Sequence, residues 1–413
     1  MKPPPPDPFA KLAATCGLIL VLCAALLGSA AAGATAGVSE QGPSFRPNDS
    51  HTRGGFDRFY NLDYDKAIGE FEKSLEQHPD DPFAVNHLLT AVMFRELYRM
   101  GALNTGEYAN DSFVTQGHRP ADTQAKQRIH ELIGRARNLE EKRIAANDKD
   151  VDAYYARGVT RGQQATFTGL VERSWFAALR AALGARHDHE KVLELNPNYT
   201  DAKLIIGTHD YVVGSLPWAV KLAASIVGFS GDKRKGIEEL FAAANGGEAS
   251  VDAKVLLVLF LRREGRHDEA LKLVRELNAR YPQNVLMALE EGNLLRASHQ
   301  PQEAAAIYRK VWDAGRKGRY PYGHYELSAV SLGDVLRSQK DYQGAADAYS
   351  LVEQVSNPDP DVKQQALLGA GEMDDLLQKR DAAVQKYQAC IAANGSSGRA
   401  ETARHRLKEA YRE

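Results

Sequence analysis

The motif YDKAIGEFEKSLEQHPDD (64–81) returns in the second half of the chain as HDEALKLVRELNARYPQN (267–284), PQEAAAIYRKVWDAG (301–315), YQGAADAYSLVEQVSNP (342–358) and RDAAVQKYQACIAANG (380–395). Ala67, Ala270, Ala304, Ala345 and Ala383 hold equivalent places, and the last four stand 34, 41 and 38 residues apart. A large side chain follows each alanine by four: Phe71, Val274, Tyr308, Tyr349 and Tyr387. Upstream, a glycine recurs in the preceding helix: Gly158, Gly207, Gly292, Gly333 and Gly371. A period of this size constrains the fold more than any local propensity. Each copy is one supersecondary unit that cannot bury its apolar face alone, so the copies must stack.

The spacing of large side chains and alanines is helical, and no alternating apolar and polar run is long enough for a strand. Pro79, Pro197 and Pro282 stand where the second helix of a unit ends. Asn245-Gly246 and Asn394-Gly395 follow helical patterns and read as helix C-termini rather than hairpin turns. A small residue in each of two paired helices lets the backbones approach, and the large residue one turn later fills the neighbouring groove. This pattern resembles the tetratricopeptide repeat, most clearly over 250–395 and again at 55–80. The resemblance implies an all-α fold, a superhelix of helical hairpins (an α-solenoid) with a concave inner surface.

The remaining segments fall around that array. Residues 1–36 join a lysine-bearing, proline-rich head to the apolar run LAATCGLILVLCAALLG (12–28) and the small-residue stretch SAAAGATAG (29–37). That order is a secretory signal peptide or, uncleaved, an N-terminal anchor, so the expected location is exported: periplasmic, or tethered to a membrane through the leader. Residues 37–53 read as a flexible tether. Residues 54–199 read as N-terminal helical repeats with an insertion at 101–125, and long helices near 126–146 and 170–195. A divergent hairpin at 200–249 precedes the repeats of 250–395, and 396–413 is the expected capping helix.

A formal net charge of −2 argues against a general nucleic-acid binder, which needs a basic face. Of the three cysteines, Cys16 and Cys23 lie in the leader, leaving Cys390 alone in the repeats. A single thiol forms no internal disulfide, and its place in the repeat predicts a small buried hydrophobe. No nucleophile elbow and no phosphate-binding loop is present, so no cofactor is implied.

Three groups of residues carry chemistry. In tetratricopeptide proteins the ligand lies along the first helix of each hairpin. Carried over, that pattern places Arg262, Arg296 and Arg337 one per repeat, with Arg263 and Asn293 beside them. Guanidinium forks in such a row suit carboxylates or an extended acidic peptide, and Asp334, Glu372 and Asp375 add acid to the same face. The segment SLPWAVKLAASIVGFSGDKRKG (215–236) offers Trp218, Phe229, Lys233, Arg234 and Lys235 as a partner or membrane contact, although packing is its simpler reading. His187, His189, His209 and Asp210 would be the ligands of a metal-dependent enzyme, but the two-residue spacing of the first pair suits a helical metal site poorly.

The segment around 214–240 also resembles the inclusion-body clearance family of tetratricopeptide proteins, through Ser215, Leu216, Pro217, Gly228, Phe229, Gly231, Asp232, Gly236 and Leu240. Members of that family are intracellular adaptors linked to lipid droplets and mitochondrial surfaces. For this chain the resemblance implies the fold and a non-enzymatic adaptor role. The expected function is therefore an exported scaffold holding partner proteins or peptides in its groove. The alternatives are a structural subunit of an envelope assembly or transport complex and, further off, a metal-dependent enzyme.

Overall fold

The computed structural model describes residues 45–103, 119–216, 221 and 230–413. The leader, residues 37–44, most of the insertion, and both Trp218 and Phe229 lie outside the described residues. Every regular element among the described residues is helical. The chain divides between Glu264 and Gly265 into two compact units.

The first unit contains α1 (Ser50–Tyr60), α2 (Tyr64–Gln77), α3 (Pro82–Arg99), α4 (Thr123–Ala146), α5 (Val151–Thr166), α6 (Trp175–Leu195), α7 (Lys203–Gly214), α8 (Lys233–Ala244) and α9 (Ser250–Arg263). Aspartates start many of these helices: Asp49, Asp81, Asp122, Asp150 and Asp232 each accept a bond from a first-turn backbone N–H. The helix expected from 170 begins instead at Trp175, because Phe167–Val171 form a π-helical turn and Arg173 turns the chain with a φ of 54°. Gly207 lies against Gly236, where an added carbon would meet the Gly236 carbonyl oxygen at 2.7 Å, so α7 and α8 touch backbone to backbone.

Residues far apart in sequence close this unit. His87 and Glu248, both fully buried, meet at 3.0 Å, and Tyr60 donates to Asp252 at 2.9 Å. Burial disfavours charge on both members of the first pair, pushing the His87 pKa down to about 3 and that of Glu248 well up. Residues 45–53, expected to be tether, are packed instead. The Phe45 ring stacks on Phe56 at 4.1 Å, the Arg46 guanidinium lies 4.2 Å from the Phe83 ring and pairs with Asp152 at 2.6 Å, and α1 starts at Ser50. An aromatic residue and an arginine with both an aromatic and an acidic partner outweigh the Gly/Ser/Pro/Asn composition of the stretch.

The second unit runs through α10 (His267–Arg280), α11 (Val285–Ala297), α12 (Pro301–Arg316), α13 (Leu327–Ser338), α14 (Tyr342–Ser350), α15 (Pro360–Leu376), α16 (Arg380–Ala393) and α17 (Gly398–Lys408), each packed on the next. Its hairpins α11/α12, α13/α14 and α15/α16 share one internal contact. Gly292, Gly333 and Gly371 of the first helix face the rings of Tyr308, Tyr349 and Tyr387 of the second. All three tyrosines are essentially buried, as are Ala304, Ala345 and Ala383 one turn before them. The turn between paired helices is also shared. His299, Lys340 and Gln378, each five residues before a repeat alanine, have φ of 59°, 64° and 61°, and Leu62 in the first unit does the same at 67°. The residue after each donates to the carbonyl five residues back, which terminates the first helix.

Candidate functional site

The sequence-predicted groove residues of the second unit lie on the first helices of its hairpins. Arg296 closes α11, and Asp334, Arg337 and Ser338 close α13. With Lys340 and Glu413 these residues line one open cavity. Arg296 and Lys340 are exposed, and neither makes an ion pair or side-chain hydrogen bond among the described residues.

The polar residues beneath them are already engaged. Tyr308, Tyr349 and Tyr387 donate to Asn293 (2.8 Å), Asp334 (2.7 Å) and Asp375 (2.8 Å), so each hairpin ties its buried tyrosine to an acceptor on its own first helix. Burial pushes the Asp334 carboxyl above its usual range, opposed by the Tyr349 bond and by Arg296 and Arg337. Asn293, read from sequence as a groove contact, therefore accepts within its own hairpin and also donates to Glu290 at 3.1 Å.

Arg337 grips carboxylates, and they belong to this chain. Its Nη1 donates to Glu372 at 2.9 Å, Nε lies 3.7 Å from Glu413, and Nη2 donates to the Tyr411 hydroxyl. Partial burial works to lower the Arg337 pKa, but Glu372 and Tyr411 hold it above its usual value. The expected capping helix over 396–413 stops at Lys408, and residues 409–413 turn back against α13 and α15. The reason lies in the anchors. The Tyr411 ring sits 5.0 Å from the Arg337 guanidinium and 4.6 Å from that of Arg406, and its backbone N–H donates to Asp375 at 2.8 Å. Glu413 accepts from the Tyr342 hydroxyl at 2.8 Å. Sequence reasoning missed Tyr411, Arg406 and Lys340, since nothing in the repeat period points to them.

The remaining candidates lie in the first unit. Arg262 and Arg263 occupy the last turn of α9 and are half-buried. Lys233 pairs with Glu264 at 2.8 Å, Arg234 with Glu238 at 3.4 Å and Lys235 with Asp210 at 3.5 Å, so each member of the basic turn has an acidic neighbour. Asp232 caps α8, as its place after the glycines suggests. Of the metal candidates, His187 is exposed, while buried His189 bonds the Ala185 carbonyl at 2.8 Å. His209 contacts Arg186, which also donates to Asp210 at 2.7 Å. Among the described residues no group of three or more His, Cys, Asp or Glu is arranged to hold a metal ion, and no described helix is long and apolar enough to cross a membrane.

Comparison with known proteins points the same way as the hairpin geometry. Residues 200–320 match the family model Iml2/Tetratricopeptide repeat protein 39, a span that includes the distinctive 214–240 block. No curated protein matches the chain. Similar solved structures include Pseudomonas aeruginosa pilF, with 17% identity, a TM-score of 0.37, and coverage of 62% of this chain and 98% of that one. A thermophilic tetratricopeptide-repeat protein of Thermus thermophilus has 17% identity, a TM-score of 0.33, and coverage of 59% and 97%. The APC/C hetero-tetramer Cut9–Hcn1 has 13% identity and a TM-score of 0.44 over 87% of this chain and 55% of that one. The family match over 200–320 and the repeated glycine–tyrosine hairpins of the second unit support assignment of the chain to the tetratricopeptide-repeat superfamily.

Proposed function

We propose that this chain is an exported, non-enzymatic scaffold that holds an acidic protein or peptide segment on the inner face of its second unit. A protein-interaction role follows from the repeat fold; the groove, the acidic partner and the export are the finer reading. One observation carries it. Arg296 and Lys340 are exposed, have no ion-pair partner among the described residues, and line one cavity with Arg337. Cations left open on a preformed surface favour a carboxylate-bearing partner and steer its approach.

The test is a titration of fluorescently labelled acidic and basic peptides of equal length against the full chain and its Arg296→Glu/Lys340→Glu variant. The acidic peptide should bind the wild type in a salt-dependent manner, and the variant at least ~10-fold more weakly. Equal binding by the two proteins, or preference for the basic peptide, would overturn the groove reading. Export rests on the pattern of residues 1–36, and N-terminal sequencing of protein from intact cells tests it: a start at Met1 with no membrane association would sink it.

A further inference from the structure

The inner face of α13 and α15 contains a seat more specific than a row of cations. It has an aromatic slot between two guanidinium groups, Arg337 at 5.0 Å and Arg406 at 4.6 Å from the Tyr411 ring. Asp375, whose side chain is fully buried and paired with Arg380 at 2.9 Å, fixes the backbone N–H of the residue in that slot at 2.8 Å. Two residues on is a carboxylate position, held by the Tyr342 hydroxyl at 2.8 Å with the Arg337 Nε 3.7 Å away. Three kinds of contact thus read one short extended segment: a π-face between cations, a main-chain N–H, and a carboxylate.

The geometry points to this seat as the recognition element of the groove. Its partner is an extended protein segment with an aromatic residue two positions ahead of a carboxylate. Residues 409–413, EAYRE, are its intramolecular occupant, a strap that such a segment displaces. This rests on the groove reading above and adds to it the partner's pattern and a means of regulation. A strap tethered directly to α17 acts at an effective concentration of about millimolar, so a partner binds only by outcompeting it. Arg296 and Lys340, outside the strap's contacts, are placed to give a longer acidic partner the extra attraction it needs.

The test uses a labelled peptide of residues 407–413, LKEAYRE, titrated by fluorescence anisotropy into the full chain and into a chain ending at Lys408. The shortened chain should bind the peptide saturably and at least ~10-fold more tightly than the full chain. Replacing the peptide's tyrosine by alanine, or its final glutamate by glutamine, should weaken binding roughly 10-fold each. Arg337→Ala in the shortened chain should abolish it. If shortening lowers helicity, the full chain carrying Tyr411→Ala and Glu413→Gln takes its place, with the same expectations. Equal binding to strapped and unstrapped chains, insensitivity to the peptide's tyrosine, or no peptide binding by a folded unstrapped chain would each overturn the strap. An acidic peptide lacking the aromatic residue separates the two readings. Bound by both chains, it supports the groove whatever the outcome for the strap; bound by neither, it removes the groove and leaves the strap to the LKEAYRE titration.

Discussion

A side-chain carbon added at Gly333 would stand 2.5 Å from Cε1 of Tyr349, well inside van der Waals contact. The hairpin α13/α14 is closed by this absence of a side chain, and Gly371 repeats the relation with Tyr387 at 2.7 Å. Gly333→Ala should therefore destabilise the protein by about 1–3 kcal/mol through overpacking. Gly134, exposed on α4 with nothing within 4 Å of the same position, is the control. Gly134→Ala should stabilise by about 0.5–1 kcal/mol. Urea unfolding of both variants checks the pair; equal effects would mean that the ring contact does not set the hairpin spacing.

The hydroxyl of the same tyrosine supplies a second prediction. Tyr349→Phe leaves the Asp334 carboxylate without its 2.7 Å donor, and should cost about 1–3 kcal/mol. Asp334→Asn in that background should recover part of the loss, because it removes the charge that burial penalises. A double-mutant cycle with no coupling would show the bond to be energetically idle.

Glu140 gives the first unit a pH dependence. Its side chain is buried, and desolvation lifts the pKa from 4.5 to about 7, with the Thr160 bond opposing. The hydrogen-bond arithmetic agrees. The single hydroxyl proton of Thr160 faces both Asn86 Oδ1 (2.7 Å) and Glu140 Oε1 (2.5 Å), and a protonated Glu140 supplies the second proton. A folded pKa above the unfolded one means that the stabilisation is complete below about pH 4.5 and is lost as pH rises through about 7. Glu140→Gln should thus gain on the wild type, by on the order of 2–3 kcal/mol, between pH 5 and 8. A pH-independent difference in unfolding free energy would contradict this.

Cys390 should be inert in the native protein. The thiol is fully buried, its sulfur lies 3.7 Å from the Gln364 carbonyl oxygen, and burial raises its pKa. Alkylation at pH 8 should be negligible without denaturant and complete in urea, followed by mass spectrometry. Comparable rates in the two conditions would refute the buried assignment.

Much of the fold was legible because a period reports local packing. The alanine and tyrosine of each repeat mark the buried stripe of one helix, the upstream glycine marks the facing helix, and Asp232 announces a cap; Cys390 is buried where the register puts it. The positive φ at His299, Lys340 and Gln378 left little trace, because no glycine stands there. Asn293 and Arg337 were visible as polar residues on the first helices of their hairpins, but their partners were not. Hydrogen bonds to Tyr308 and to Tyr411 depend on which side chains meet although they stand 15 and 74 residues apart.

By itself the sequence determined that the chain is all-helical, in which register its hairpins repeat, and that Cys390 is buried, since each follows from side chains spaced along one or two neighbouring helices. Only the tertiary structure decided that residues 45–49 pack into the first unit and that 409–413 lie against α13 and α15 of the second. Both outcomes depend on arginines, Arg46 and Arg337, finding aromatic and acidic partners far away in the chain. Such pairing is set by distance in space, and helical periodicity carries no record of it.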